Sequence, residues 1–185
     1  MTLPYKRSVT LVELLVAIVI LGFLVVGIAN IDRFSRSQLQ YDDQRVSLQN
    51  EASSVLEHMQ KALAQAIGDF NQAAVNINIT GDPTLTAWVD DNKNGMRDSP
   101  DIQIAYIYKG SPTYQLWYYP NYANATYQVI GNKIYNFTRT LSLNYLDVGI
   151  TVCWDCSEAN SACGTAPNPK MTIINRIALP YVSTN

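Results

Sequence analysis

Over residues 9–29 the chain reads VTLVELLVAIVILGFLVVGIA, an apolar run whose single charge is Glu13. As a helix rising about 1.5 Å per residue, such a run covers roughly 30 Å, the hydrocarbon thickness of a bilayer. A secretory signal has a shorter apolar core followed by a small-x-small cleavage site. Gly27-Ile28-Ala29 followed by Asn30 is a poor version of that site, so the run predicts a membrane helix kept in the mature protein. Lys6 and Arg7 stand just before it. The positive-inside tendency then keeps the N-terminus cytoplasmic and sends the bulk of the chain across.

Beyond the run, residues 30–44 are polar, and no proline occurs between Pro4 and Pro83, so the helix is free to continue. From Leu48 the pattern turns amphipathic. Leu48, Ala52, Val55, Leu56, Met59, Leu63, Ile67 and Phe70 recur at spacings of three and four, a stripe suited to packing on a sheet. One helix from residue 9 to about residue 67 would be about 90 Å long, with its end near Gly68-Asp69. Gly22 and Gly27 are its expected weak points. His58 lies beside the stripe as a surface or boundary residue.

After residue 80 the pattern shortens to alternating runs, and seven of the eight prolines and ten of the twelve tyrosines lie there. Strands are predicted at 85–89, 102–109, 114–119, 126–130, 133–137, 141–145, 149–154 and 171–179. The last puts Met171, Ile173, Ile177 and Leu179 on one face. Gly131-Asn132 reads as a hairpin turn. The expected fold class is α+β: a long N-terminal helix, half membrane-spanning and half amphipathic, packed on an antiparallel β-sheet head.

Composition narrows the function classes. Of 185 residues, 48% are hydrophobic and 15% charged, with a formal net charge of −2. That excludes a disordered polar chain and offers no basic surface for nucleic acid. One histidine is too few for most catalytic or metal clusters, and three cysteines are too few for a disulfide-stapled mini-protein. No Ser/His/Asp set, glycine-rich phosphate loop or paired-carboxylate cleft is visible, so the chain does not read as an enzyme.

Glu13 changes the picture most. A lone carboxylate in lipid costs a few kcal/mol unless it is neutralised, paired or able to reach the interface. The stretch Lys6-Arg7-Ser8-Val9-Thr10-Leu11-Val12-Glu13-Leu14-Leu15-Val16 resembles the N-terminal signature of type IV pilins and type II secretion pseudopilins. The resemblance implies a basic leader at 1–8, cut between Ser8 and Val9 by a prepilin peptidase that also methylates Val9. It further implies that Glu13 pairs with the N-terminal amine of a neighbouring subunit during assembly. Ser8 stands where the family nearly always has glycine, and Val9 where phenylalanine is usual. Cutting removes Lys6 and Arg7, leaving 11 Lys+Arg against 15 Asp+Glu and a mature charge near −4. The implied organisation is a leader at 1–8, a membrane and assembly helix at 9–29, its continuation at 30–70 and an extracytoplasmic head at 71–185. The implied setting is the bacterial inner membrane before assembly and a cell-surface or periplasmic filament afterwards. A head of this size resembles that of a minor pilin or minor pseudopilin.

Residues 90–101 carry a second signal. Asp90, Asn92 and Asn94 place oxygen ligands at alternate positions, Gly95 allows a sharp turn, and Met96 offers its carbonyl. Asp98 and Asp101 stand where a water-linked and a closing carboxylate belong in a calcium loop. The pattern resembles an EF-hand-type or dockerin-type loop set between strands, with Arg97 weakening its field. Ca2+ is the expected cofactor, and a polar turn that binds nothing is the alternative.

Cys153, Cys156 and Cys163 predict one disulfide and one spare thiol in an extracytoplasmic domain. Cys156–Cys163 and Cys153–Cys163 are both open pairings. Two readings of function follow: a polymerising structural subunit with other pilin-like subunits as partners, or a permanently membrane-anchored, calcium-dependent binding module. The Ser8–Val9 junction discriminates between them.

Overall fold

The structure, a computed structural model, describes residues 10–68, 73–78, 84–142, 145–156, 163–164 and 168–179. Ser8 and Val9 lie outside the described residues. The chain divides into two compact units, Met1–Asp42 and Asp43–Asn185, and the helix α1 (Leu11–Leu63) contributes residues to both.

In the first unit the helix is unbroken through Gly22 and Gly27, and its side chains are exposed as far as Gln40. An apolar helix with no protein to cover it needs another apolar medium.

In the second unit the amphipathic stripe behaves as its spacing predicts. Leu48, Ala52, Val55, Leu56, Met59 and Leu63 are buried in one core with residues of all the longer strands' inner faces. The helix ends at Leu63, earlier than expected. Ala66 already bridges Val89, and the Ile67 N–H donates to the Trp88 carbonyl at 2.8 Å. The alanine-rich sequence favours more helix, but a sheet edge supplies backbone partners and prevails.

The strands are β1 (Val75–Asn78), β2 (Thr84–Val89), β3 (Ile102–Lys109), β4 (Gln115–Asn121), β5 (Thr126–Gly131), β6 (Ile134–Leu141), β7 (Tyr145–Cys153) and β8 (Lys170–Ala178). They form two antiparallel sheets where one was expected: a five-stranded meander β1-β2-β3-β4-β5 and a three-stranded sheet β6-β7-β8. The expected Gly131-Asn132 hairpin is instead the crossing between them. Lys133 adopts positive φ (56°), the Ile134 N–H donates to the Tyr114 carbonyl at 2.9 Å, and Cys153 N–H donates to the Lys133 carbonyl at 3.0 Å. The turn is tied to α1 by the Asn132 N–H, which donates to Glu51 Oε1 at 2.5 Å. Gly131 is required there for space, since a Cβ would stand 2.9 Å from Val55 Cγ2 and 3.0 Å from Ile134 Cδ1.

The strand expected at 141–145 is not seen as one element: Leu141 is the last residue of β6 and Tyr145 the first of β7. Leu141 pairs with Leu146, and the Ser142 N–H donates to the Tyr145 carbonyl. β1 was not anticipated; its Val75 and Ile77 alternate between asparagines over only four residues. On β8, Met171, Ile173 and Ile177 do share a face, paired with Val152, Ile150 and Leu146 of β7. The gap in that face is Asn175, whose Nδ2 donates to Gln60 Oε1 of α1 at 3.2 Å.

Candidate functional site

The N-terminal helix begins with a cap that the sequence contained and the periodicity alone did not reveal. Thr10 and Glu13 form a T-x-x-E capping box. Glu13 Oε2 accepts the Thr10 backbone N–H at 2.8 Å and the Thr10 hydroxyl at 3.0 Å, while the Glu13 N–H donates to Thr10 Oγ1 at 3.3 Å. The box sets the helix start at Leu11 and gives Glu13 a local role: it satisfies a backbone donor that the first turn leaves without a partner. After Glu13, no charge occurs before Asp32. α1 is long and apolar enough to cross a membrane, and its most apolar stretch has no buried residue. A core helix of the same composition would be covered. Membrane anchoring fits this surface. Past the apolar run, Arg36 pairs with Asp32 one turn back at 3.0 Å, as on a solvated helix face.

The loop between β2 and β3 is held by its own side chains. Asp90 accepts the N–H groups of Asn94 (3.2 Å) and Gly95 (2.7 Å). Asn92 Oδ1 accepts the Asn94 N–H and Asn94 Oδ1 accepts the Met96 N–H. Asp101 reaches back to accept the N–H groups of Asp91 and Asp98. Gly95 has positive φ (76°), as the sharp turn requires. The Asp98 carboxylate accepts both amide groups, Asn92 Nδ2 at 3.0 Å and Asn94 Nδ2 at 2.6 Å. These are oxygen donors of the chemistry calcium takes. Among the described residues, however, no three Asp, Glu, His or Cys side chains are gathered as a metal-holding group. Coordination would have to enlist amide and carbonyl oxygens, with the two asparagine amides turned away from Asp98. Arg97, expected to weaken the loop's field, lies with its guanidinium 4.1 Å from the centre of the Trp88 ring.

At the end of β7, the disulfide joins Cys153 to Cys163, with Cα atoms 5.9 Å apart. This resolves the two open pairings, and the spare thiol is Cys156, which is buried. Its Sγ donates to the Cys153 carbonyl at 3.5 Å. Burial pushes the Cys156 thiol up to about 11, so it is protonated and unreactive at neutral pH. Asn168 clamps this corner by accepting the Asp155 N–H at 2.7 Å and donating to the Asp155 carbonyl at 2.8 Å.

His58 is a boundary residue, as expected. Its Nδ1 lies 3.2 Å from the buried Tyr106 hydroxyl, and its ring meets Tyr118 edge-on at 4.6 Å between centroids. Burial lowers its pKa, with the nearby Lys61 charge adding to the effect. The neutral ring serves packing between α1 and the five-stranded sheet.

Comparison with known proteins places one segment. A family model described as the prokaryotic N-terminal methylation motif matches residues 3–29. No curated protein and no solved structure matches the chain. The matched segment contains Ser8, Val9 and Glu13 and ends where the uninterrupted apolar run ends.

Proposed function

From an N-terminal segment of the prepilin type, we propose that the chain is a structural subunit of a type IV pilus or type II secretion pseudopilus, and a minor subunit of it rather than an enzyme. The observation that carries this reading is the coincidence of the methylation motif with the apolar stretch of α1 that has no buried residue. Prepilin peptidase cuts between Ser8 and Val9 and methylates Val9. The subunit waits in the inner membrane with its N-terminus cytoplasmic and its head on the far side. Polymerisation then exchanges lipid for neighbouring apolar helices. Glu13 is the one residue in the run for which that exchange is costly, because a bare carboxylate in an apolar bundle loses its solvation. The amine of a neighbouring Val9 neutralises it, and one charge pair per interface sets the register.

Two measurements separate this reading from a permanent anchor. Mass spectrometry of the mature chain should find methylated Val9 at the N-terminus, whereas retention of Met1 to Ser8 in the mature protein means an anchor. Glu13→Ala should still insert in membranes but drop out of filaments; normal incorporation would remove Glu13 from the assembly mechanism.

We further propose that the 90–101 loop takes a calcium ion through Asp90, Asn92, Asn94, Asp98, Asp101 and the Met96 carbonyl. Its support is the all-oxygen donor set and the positive-φ turn at Gly95. For an extracytoplasmic site of millimolar affinity, about 10 mM calcium should stabilise the head by about 1.4 kcal/mol. Melting should rise with calcium, reverse with chelator and lose its response in Asp90→Ala. No shift at millimolar calcium means that the loop is a self-satisfied turn.

A further inference from the structure

The outer face of the five-stranded sheet, opposite the side packed on α1, is built differently from the rest of the head. Across β1 to β5 there is a single charged residue, Lys109, and no carboxylate. The three-stranded sheet carries Arg139, Asp147, Lys170 and Arg176 over fewer residues. The small and aliphatic residues of the outer face, Ala105 and Ile107, are buried, although they lie outside the core shared with α1. They form a floor. Standing over it are aromatic rings already in contact with one another. Trp117 stacks on Tyr127 at 4.0 Å between centroids and 8° between planes. Tyr119 lies 5.6 Å from Tyr127 and meets Tyr122 edge-on at 5.7 Å. Tyr122 and Tyr127 remain 42% and 44% exposed. Amide side chains fix this group at both ends. Gln115 Oε1 accepts the Trp117 indole N–H at 3.0 Å, and Asn121 Oδ1 accepts the Ala123 N–H at 3.1 Å to hold the short helical turn that carries Tyr122.

We propose that this face binds a neutral carbohydrate chain, with pyranose rings laid against the Trp117–Tyr127–Tyr119–Tyr122 group. The chemistry selects the occupant. A polyanion such as nucleic acid or an acidic polysaccharide needs an array of Lys and Arg, whereas the cations here are two, each held against a ring: Lys109 5.2 Å from the centre of Trp117 and Arg97 4.1 Å from that of Trp88. A cationic ligand needs carboxylates, and there are none. A protein partner would use the half-exposed Tyr122, Tyr127 and Val129 as its anchors, and the cross-linking arm of the test sets that occupant against the glycan. A neutral sugar presents C–H edges to aromatic rings and hydroxyls to amide and tyrosyl groups, and both complements are here. The rings are held against each other before any ligand arrives, so little side-chain freedom is lost on binding.

The test uses the full chain in detergent micelles, passed over cellulose, chitin and an insoluble α-glucan, with immobilised heparin as the polyanion. Retention is read on the single subunit, so its outcome is independent of cleavage and of filament assembly. At least one neutral glycan should retain the protein in about 0.5 M NaCl, where charge-driven binding is screened. Tyr122→Ala combined with Tyr127→Ala should weaken that binding at least roughly tenfold. Both rings are a little under half exposed and pack on Trp117 and Tyr119, so the double variant should melt a few degrees lower while staying folded, well short of the loss of binding. Ile174→Ala, an exposed position on the other sheet, should bind as the parent does. The proposal fails if no neutral glycan retains the chain, if the double variant binds undiminished, or if heparin alone retains it and salt releases it. It also fails if cross-linking through Tyr127 captures a second copy of the chain in place of glycan.

Discussion

Met59→Ala should lower the stability of the head by about 3 kcal/mol, read as a fall of roughly 10 °C in its melting temperature. Met59 is fully buried on the helix stripe, between Val55 and Leu63 in sequence and within the core shared by both sheets. Truncation removes apolar surface from the core and leaves a cavity that strands on several sides cannot all close. The same experiment at Phe23 separates burial from mere hydrophobicity. Phe23 lies on the same helix but is 76% exposed. Phe23→Ala should change head melting in detergent by less than about 0.5 kcal/mol. Equal losses at the two positions would mean that the stripe after Leu48 is not the packing face.

Loss of the Cys153–Cys163 disulfide should cost about 3 kcal/mol, the chain-entropy cost of releasing a loop with a sequence separation of 10. Cys163→Ser is the cleaner variant, because Cys153 is itself buried in β7 and its replacement would also disturb packing. Thiol chemistry checks the pairing independently. Without reductant, the folded protein should take up no iodoacetamide near neutral pH, since Cys156 is buried and burial raises its pKa to about 11. After denaturation it should take up one equivalent, and peptide mapping should find Cys153 linked to Cys163. A map linking Cys156 to Cys163, or a Cys163→Ser variant as stable as the parent, would sink the assignment.

Glu13 shows how two levels of structure can use one residue. In the isolated chain it caps its own helix through Thr10. In the proposed filament it meets a neighbour's amine. The Glu13→Ala variant therefore removes a cap as well as an assembly charge. A cap contributes about 1 kcal/mol, small beside the burial of an apolar run this long, so insertion should survive where incorporation does not.

Much of this molecule was legible before any coordinates. The 9–29 run, the motif around Glu13, the stripe from Leu48 to Leu63 and seven of the eight strands in approximate position follow from local pattern. So does the single turn-rich loop with oxygen ligands at alternate positions. Side-chain periodicity is a property of consecutive residues, and it survives whatever the rest of the chain does. The T-x-x-E box was equally local and lay unread beneath the larger hydrophobic signal.

What escaped the sequence depends on partners distant in the chain. Helix α1 stops at Leu63 because the backbone at Val89 and Trp88 competes for the next residues. The predicted single sheet divides because Ile134 bonds to Tyr114 and Lys133 to Cys153, so Gly131-Asn132 crosses between sheets when its local signal is for a hairpin. Cys163 pairs with Cys153 because the end of β7 and the return to β8 bring those two together, while Cys156 turns into the interior. The uncharged aromatic face emerges only when five strands, each unremarkable alone, are set side by side. Sequence by itself determined the long apolar stretch of the helix, its N-terminal methylation motif and the amphipathic packing stripe, because these need only neighbours a few residues away. Tertiary structure alone decided the two-sheet topology, the disulfide and the aromatic face, because each rests on contacts between residues that local spacing cannot relate.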